Sequence, residues 1–231
     1  MIRIIKNFNK AYFCILLFFG GCATLSPSQN IQPPASFSNL SKEVQQVIVV
    51  DPLKASYARI TTWELKNGQW HPVFWPMKAM VGRKGVAPLN EKREGDGRTP
   101  SGTYALGTAF GYAASVKTKL SYRQATERDF WVDDVNSSQY NQWVTGIPEA
   151  KSFELMKRKD DLYAYGVVIE YNTNPIVPGN GSAIFMHIWR GPGKATSGCV
   201  ALSPRSLRHV LAWLDASNHP VILLNAPKDN D

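Results

Sequence analysis

The chain has 231 residues, a formal net charge of +8, and 44% hydrophobic against 19% charged residues. That balance is ordinary for a globular protein, and the length suits one well-cored domain with short appendages rather than a disordered chain. The cations form no concentrated stripe, so nucleic acid is not an expected partner. Fifteen Pro, seventeen Gly and 11% aromatic residues favour a turn-rich, mainly β chain.

The first 21 residues read as an export signal. Arg3, Lys6 and Lys10 form a positive start, and Ala11 to Phe19 is an apolar run too short to span a bilayer. Gly20 and Gly21 then precede Cys22. This ending resembles the lipobox of bacterial lipoproteins, with Phe19 where an aliphatic residue is usual. The resemblance implies that Cys22 is acylated and becomes the new N-terminus. Ala23 rather than Asp after it implies the periplasmic face of the outer membrane. An ordinary secretory signal cut nearby, leaving a periplasmic protein, is the alternative. Removal of three cations takes the formal charge from +8 to +5. Cys14 leaves with the signal and Cys22 carries lipid, so Cys199 is the one thiol left. In an oxidising compartment a single leftover cysteine points to a reactive thiol or to intermolecular pairing. A buried cysteine acting as a small hydrophobe is the alternative; its place between a glycine and a polar loop is expected to leave it less than fully buried.

Residues 22–43 are rich in Ser, Pro, Asn and Gln and read as a flexible tether. The domain is expected over 44–226, with a polar tail at 227–231. Val47 to Val50 is a buried-strand pattern stopped by Asp51-Pro52. Ala58 to Leu65 and Gln69 to Trp75 flank Asn67-Gly68, a two-residue hairpin signal. Lys78 to Gly82 extends that hairpin or opens the next strand. Leu89 to Gly107 contains GDGRTPSG, a loop and turn that re-enters a strand at Thr103. It lacks the spacing of a phosphate or calcium loop, and Arg98 within it is expected to support a site rather than touch substrate. Residues 112–160 have few periodic runs and read as loops, with a short helix at most, packed over one end of the domain. Asp133-Asp134 there are expected to lie in a solvated loop, because adjacent residues on a strand face opposite ways. Tyr163 to Tyr171 and Ser182 to Trp189 are further strands. Ser203-Pro204 starts a helix whose Leu207, Val210, Leu211 and Leu214 share one face. Pro220 to Leu224 is a last strand.

The chemistry concentrates in SAIFMHIWRGPGKATSGCVALS, from Ser182 to Ser203. A strand delivers His187, a Gly/Pro loop turns, and a tight Ser197-Gly198-Cys199 corner follows. A thiol attacks as the thiolate and needs a base, which His187 supplies. Gly198 lacks a Cβ, so the turn is tight and backbone N–H groups around Gly198 and Cys199 are available to an oxyanion. A zinc site of His187, Cys199 and His209 has no tight ligand spacing behind it. Neither Ser-x-x-Lys nor Gly-x-Ser-x-Gly occurs, which argues against a serine acyltransferase.

IFMHIW, ATSGCVALS and the upstream GDGRTPSGTYAL together resemble the L,D-transpeptidase (YkuD-type) catalytic domain, over about residues 44 to 225. The resemblance implies a mainly β, sandwich-like fold with few helices and one near the C-terminus. It also implies Cys199 as nucleophile, His187 as base oriented through a backbone carbonyl, and Thr196, Ser197 and Gly198 shaping the site. No cofactor and no metal are implied. The implied reaction attacks a peptidoglycan tetrapeptide stem at its third residue, expels the terminal D-Ala and passes the thioester to an amine, or to water in an L,D-carboxypeptidase. Ser197 and Ala201 stand where the best-known members carry His and Arg or Asn, so acceptor choice does not carry over. Arg190, in the loop between base and nucleophile, is a candidate for the stem carboxylate, with a solvated loop cation as the alternative. A lipid-anchored cell-wall-binding protein without turnover is the reading from another class.

Overall fold

A computed structural model describes residues 32–227. The expected export signal, Cys14, the expected lipidation site Cys22 and the last four residues lie outside the described residues. The first element among the described residues is a 3-10 turn at Ala35–Asn39, inside the stretch read as a tether. Composition suggested too few apolar groups to pack, but one sufficed. Phe37 is buried with its ring edge-on to Trp63 and Trp70, worth roughly 1.5–3 kcal/mol for a side chain of that kind.

Thirteen strands follow: β1 (Gln46–Pro52), β2 (Tyr57–Lys66), β3 (Gln69–Pro72), β4 (Met77–Met80), β5 (Gly102–Gly111), β6 (Tyr122–Gln124), β7 (Asp129–Val132), β8 (Trp143–Thr145), β9 (Phe153–Leu155), β10 (Tyr165–Ile169), β11 (Phe185–Ile188), β12 (Val200–Leu202) and β13 (Val221–Leu224). The hairpin β2–β3 turns at Asn67 and Gly68, both at positive φ (51° and 78°), the backbone that a two-residue turn between twisted strands requires. The larger sheet runs β1-β13-β5-β10-β11-β12-β4-β2, and β1 also pairs with β2. The mainly β, sandwich-like sheet therefore closes into a barrel-like ring, with β3 and β6 as side branches.

Inside lies the main apolar cluster, including Ile48, Ile60, Val81, Val167, Met186, Val200 and Ile222. The single α-helix among the described residues, α1 (Pro204–Trp213), adds Leu207, Val210 and Leu211 to it. Ser203 caps the helix by accepting from the Ser206 N–H at 3.1 Å, and Pro204 occupies its first turn, a position where the missing N–H costs nothing.

Residues 112–160 are more ordered than their sequence suggests. β7 pairs with β8 and β9 in a separate three-stranded sheet. The strands are too short for periodicity to reveal, and a buried carboxylate gathers them. Asp129 accepts hydrogen bonds from Thr126, Thr145 and Trp143 and pairs with Arg123. Burial alone would raise its pKa, but those donors hold it far below the usual carboxylate range. Asp133 and Asp134 follow β7 and do not share a site. Asp134 accepts from the backbone of Asn136 and Lys151, while Asp133 lines a cavity described below.

Candidate active site

β11 and β12 are adjacent and parallel, with His187 in register with Ala201. Parallel neighbours cannot be joined by a tight turn, so the chain must travel back before the second strand starts. The Gly/Pro loop from Trp189 to Gly198 makes that return. Strand side chains alternate with period two, so Cys199, two residues before Ala201, emerges on the same face as His187. The 12-residue spacing in the sequence thus becomes a diagonal neighbour pair. His187, Cys199 and Ala201 line one cavity of about 270 Å³.

The thiol is almost fully buried. The Phe185 N–H donates to Cys199 Sγ at 3.4 Å, and Sγ faces the Ala183 carbonyl at 3.3 Å. Ala183 has φ 53°, an unusual backbone for a residue with a Cβ. Buried Asn141, from the insert, holds it there. Asn141 Oδ1 accepts from Ala183 N–H and from Trp131 Nε1–H, and its amide donates to the carbonyls of Tyr171 and Asn172.

His187 Nδ1 lies 2.8 Å from the Ile188 carbonyl oxygen. A carbonyl only accepts, so Nδ1 carries the proton and Nε2 has the free lone pair in the neutral ring. No acidic side chain is needed for that orientation. The Tyr163 ring packs edge-on against the imidazole, centroids 5.2 Å apart. Burial lowers the His187 pKa to about 4 and pushes the Cys199 thiol up to about 12. The resting site therefore holds a neutral thiol and a neutral imidazole in one cavity.

Thr196 ties the corner. Its Oγ1 donates to the Cys199 carbonyl at 2.7 Å and accepts from Gly198 N–H at 3.2 Å. The Gly198 amide expected to face an oxyanion is thus already engaged by Thr196. A Cβ on Gly198 would sit 3.1 Å from both the Arg98 carbonyl and Ile184 Cδ1, so the GDGR segment is the floor on which the corner rests. The Arg98 side chain lines no described cavity with Cys199. Ser197 is exposed and its hydroxyl accepts from Arg83 at 3.3 Å. Arg190 is exposed at the rim. His209 stacks on Phe74 along α1, away from the cavity.

Sequence reasoning missed Arg83, Lys194 and the groups that the insert supplies. Glu154, Arg158 and Tyr163 line the cavity with His187. Tyr163 O–H donates to Glu154 Oε2 at 3.0 Å, Arg158 reaches the same oxygen at 3.4 Å, and Arg158 also pairs with Asp160. No spacing in the sequence announces them, because they come from a short strand and an irregular turn.

Residues 45–223 match the family described as YkuD, the L,D-transpeptidase catalytic domain. No curated protein matches the chain. Among solved structures, the helical cell shape determining protein Pgp2 from Campylobacter jejuni is similar at 16% identity and a TM-score of 0.39, over 80% of this chain and 49% of that one. A lysine-to-alanine mutant of the same protein gives 15% and 0.40, over 82% and 50%. The chain therefore spans about half the length of these structures. With a family match that takes in His187, Cys199 and most of the sheet around them, the chain belongs to the YkuD family of L,D-transpeptidase catalytic domains.

Proposed function

We propose that this protein is a cysteine acyltransferase acting on peptidoglycan stem peptides. The observation that carries the reading is one cavity holding both the Cys199 thiol and His187, whose Nδ1 faces a carbonyl and whose Nε2 keeps its lone pair. Cys199 Sγ adds to the stem carbonyl while its proton passes to His187 Nε2. Collapse of the tetrahedral intermediate breaks the peptide bond, and the imidazolium returns the proton to the departing D-Ala amine. The acyl group remains as a thioester and passes to an amine. Arg83, Arg158, Arg190 and Lys194 at the same cavity suit an anionic stem, with Arg190 as the carboxylate contact. With the Gly198 N–H held by Thr196, the oxyanion is stabilised by the Cys199 backbone N–H of the corner that Thr196, Ser197 and Gly198 shape.

The test is mass spectrometry of purified tetrapeptide muropeptides incubated with the protein and with Cys199→Ala. Loss of D-Ala that vanishes in the variant is the expected result, with dimers as product. Tripeptide monomers alone would make the enzyme a carboxypeptidase. Unchanged tetrapeptide with folded, reduced protein would leave a cell-wall-binding protein. We also propose that Cys22 carries lipid and anchors the protein at the periplasmic face of the outer membrane. Its support is the signal-like start and the Gly-Gly-Cys ending, and labelled fatty acid should be incorporated by the wild type and not by Cys22→Ala.

A further inference from the structure

Cys199 opens on two cavities. One is shared with His187; the other, of about 260 Å³, is lined by Arg83, Lys92, Glu94, Asp133, Glu154 and Ser182 among others and not by His187. Cys199, Ser197, Arg83 and Glu154 line both. An acyl group bound as thioester from the His187 side would leave the second cavity open to the incoming nucleophile.

The charges of the second cavity differ from those of the first. Lys92 is almost wholly buried and is neutralised by Asp96 at 2.8 Å. Glu94 Oε2 accepts from the hydroxyls of Tyr140 and Ser182, at 2.6 and 2.7 Å. Two carboxylates keep open capacity. Glu154 receives Tyr163 and Arg158 on Oε2 alone, and Asp133 receives Ser152 on Oδ1 alone. Glu154 pairs across the sheet with Trp131, two residues from Asp133. Asp133 follows directly on the end of β7, and both carboxylates line this cavity. Each has one oxygen, Glu154 Oε1 and Asp133 Oδ2, without a hydrogen bond from the described residues.

We infer that Glu154 and Asp133 form the recognition site for a cationic amine acceptor, so that the acyl group goes to a primary ammonium in preference to water. This rests on the acyltransferase reading above. The ammonium sits between the two carboxylates and yields one proton to Glu154. The free amine adds to the thioester carbonyl, the C–N bond forms and the C–S bond breaks. The sulfur takes the electron pair and the amine's second proton, which restores the thiol, and Glu154 passes its proton to water.

Both products come from one acyl-enzyme, so their ratio does not depend on how fast that intermediate forms. The wild type, Glu154→Gln and Asp133→Asn are incubated with tetrapeptide stem and either a lysine amide, cationic at neutral pH, or hydroxylamine, neutral there. Glu154→Gln keeps an acceptor for Tyr163. Transfer to lysine amide relative to hydrolysis should fall about tenfold or more in each variant, as for loss of one charge-assisted contact, while the hydroxylamine ratio stays within about twofold. An unchanged lysine-amide ratio, or an equal fall for both nucleophiles, overturns the assignment. Absence of any thioester on the wild-type protein refutes the acyltransferase reading itself, and the acceptor assignment with it.

Discussion

Acidification should destabilise this protein through His187 in a way that one substitution removes. The imidazole is buried, and its pKa falls from the ordinary 6.5 to about 4. Between those values the unfolded chain takes up a proton that the folded chain refuses. The folded state is thus favoured fully above about pH 6.5 and loses that advantage as pH falls toward 4. At about pH 4.5 the loss amounts to about 2–3 kcal/mol. For a domain of this size that corresponds to a drop of about 5–10 °C in melting temperature. His187→Asn retains an N–H for the Ile188 carbonyl and removes the titrating group. Melting curves of both proteins at about pH 7.5 and pH 4.5 give the comparison. The wild type should lose about 2–3 kcal/mol more than the variant, the other three histidines being common to both. Parallel losses would refute the claim that His187 rests as a buried neutral base. They would also remove the argument that proton transfer accompanies attack.

Two other substitutions separate positioning from chemistry. Thr196→Val removes both hydrogen bonds that tie the Cys199 corner. It should cost about 1–3 kcal/mol in denaturant unfolding and lower the acylation rate about tenfold or more, and Thr196→Ser should restore most of both. Asn141→Ala strips the buried amide that bridges Trp131, Ala183, Tyr171 and Asn172. It should destabilise the fold by about 2–4 kcal/mol. It should also raise alkylation of Cys199 by iodoacetamide, because the Ala183 carbonyl that faces the thiol is no longer held.

The local chemistry was written plainly in the chain. Asn67-Gly68 announced its hairpin, Ser203-Pro204 announced the helix, and Leu207, Val210, Leu211 and Leu214 are all buried. Each of those signals is decided by residues within a turn or two, where backbone preference and periodicity act directly. His187 and Cys199 were legible for a related reason. A base, a return loop and a thiol before a parallel neighbour strand leave the two side chains on one face once the strands pair.

Tertiary structure decided the rest. Glu154, Arg158 and Tyr163 reach the site from a three-residue strand and an irregular turn whose order depends on Asp129 and Asn141, contacts that no periodicity encodes. Phe37 is buried only because two tryptophans from β2 and β3 wait for it. The resting protonation of Cys199 and His187 belongs to the fold as well, since desolvation sets it and burial is a property of everything packed around them. The amino-acid sequence chose which groups line the candidate site; the closing of the sheet and the packing of the insert chose what surrounds them.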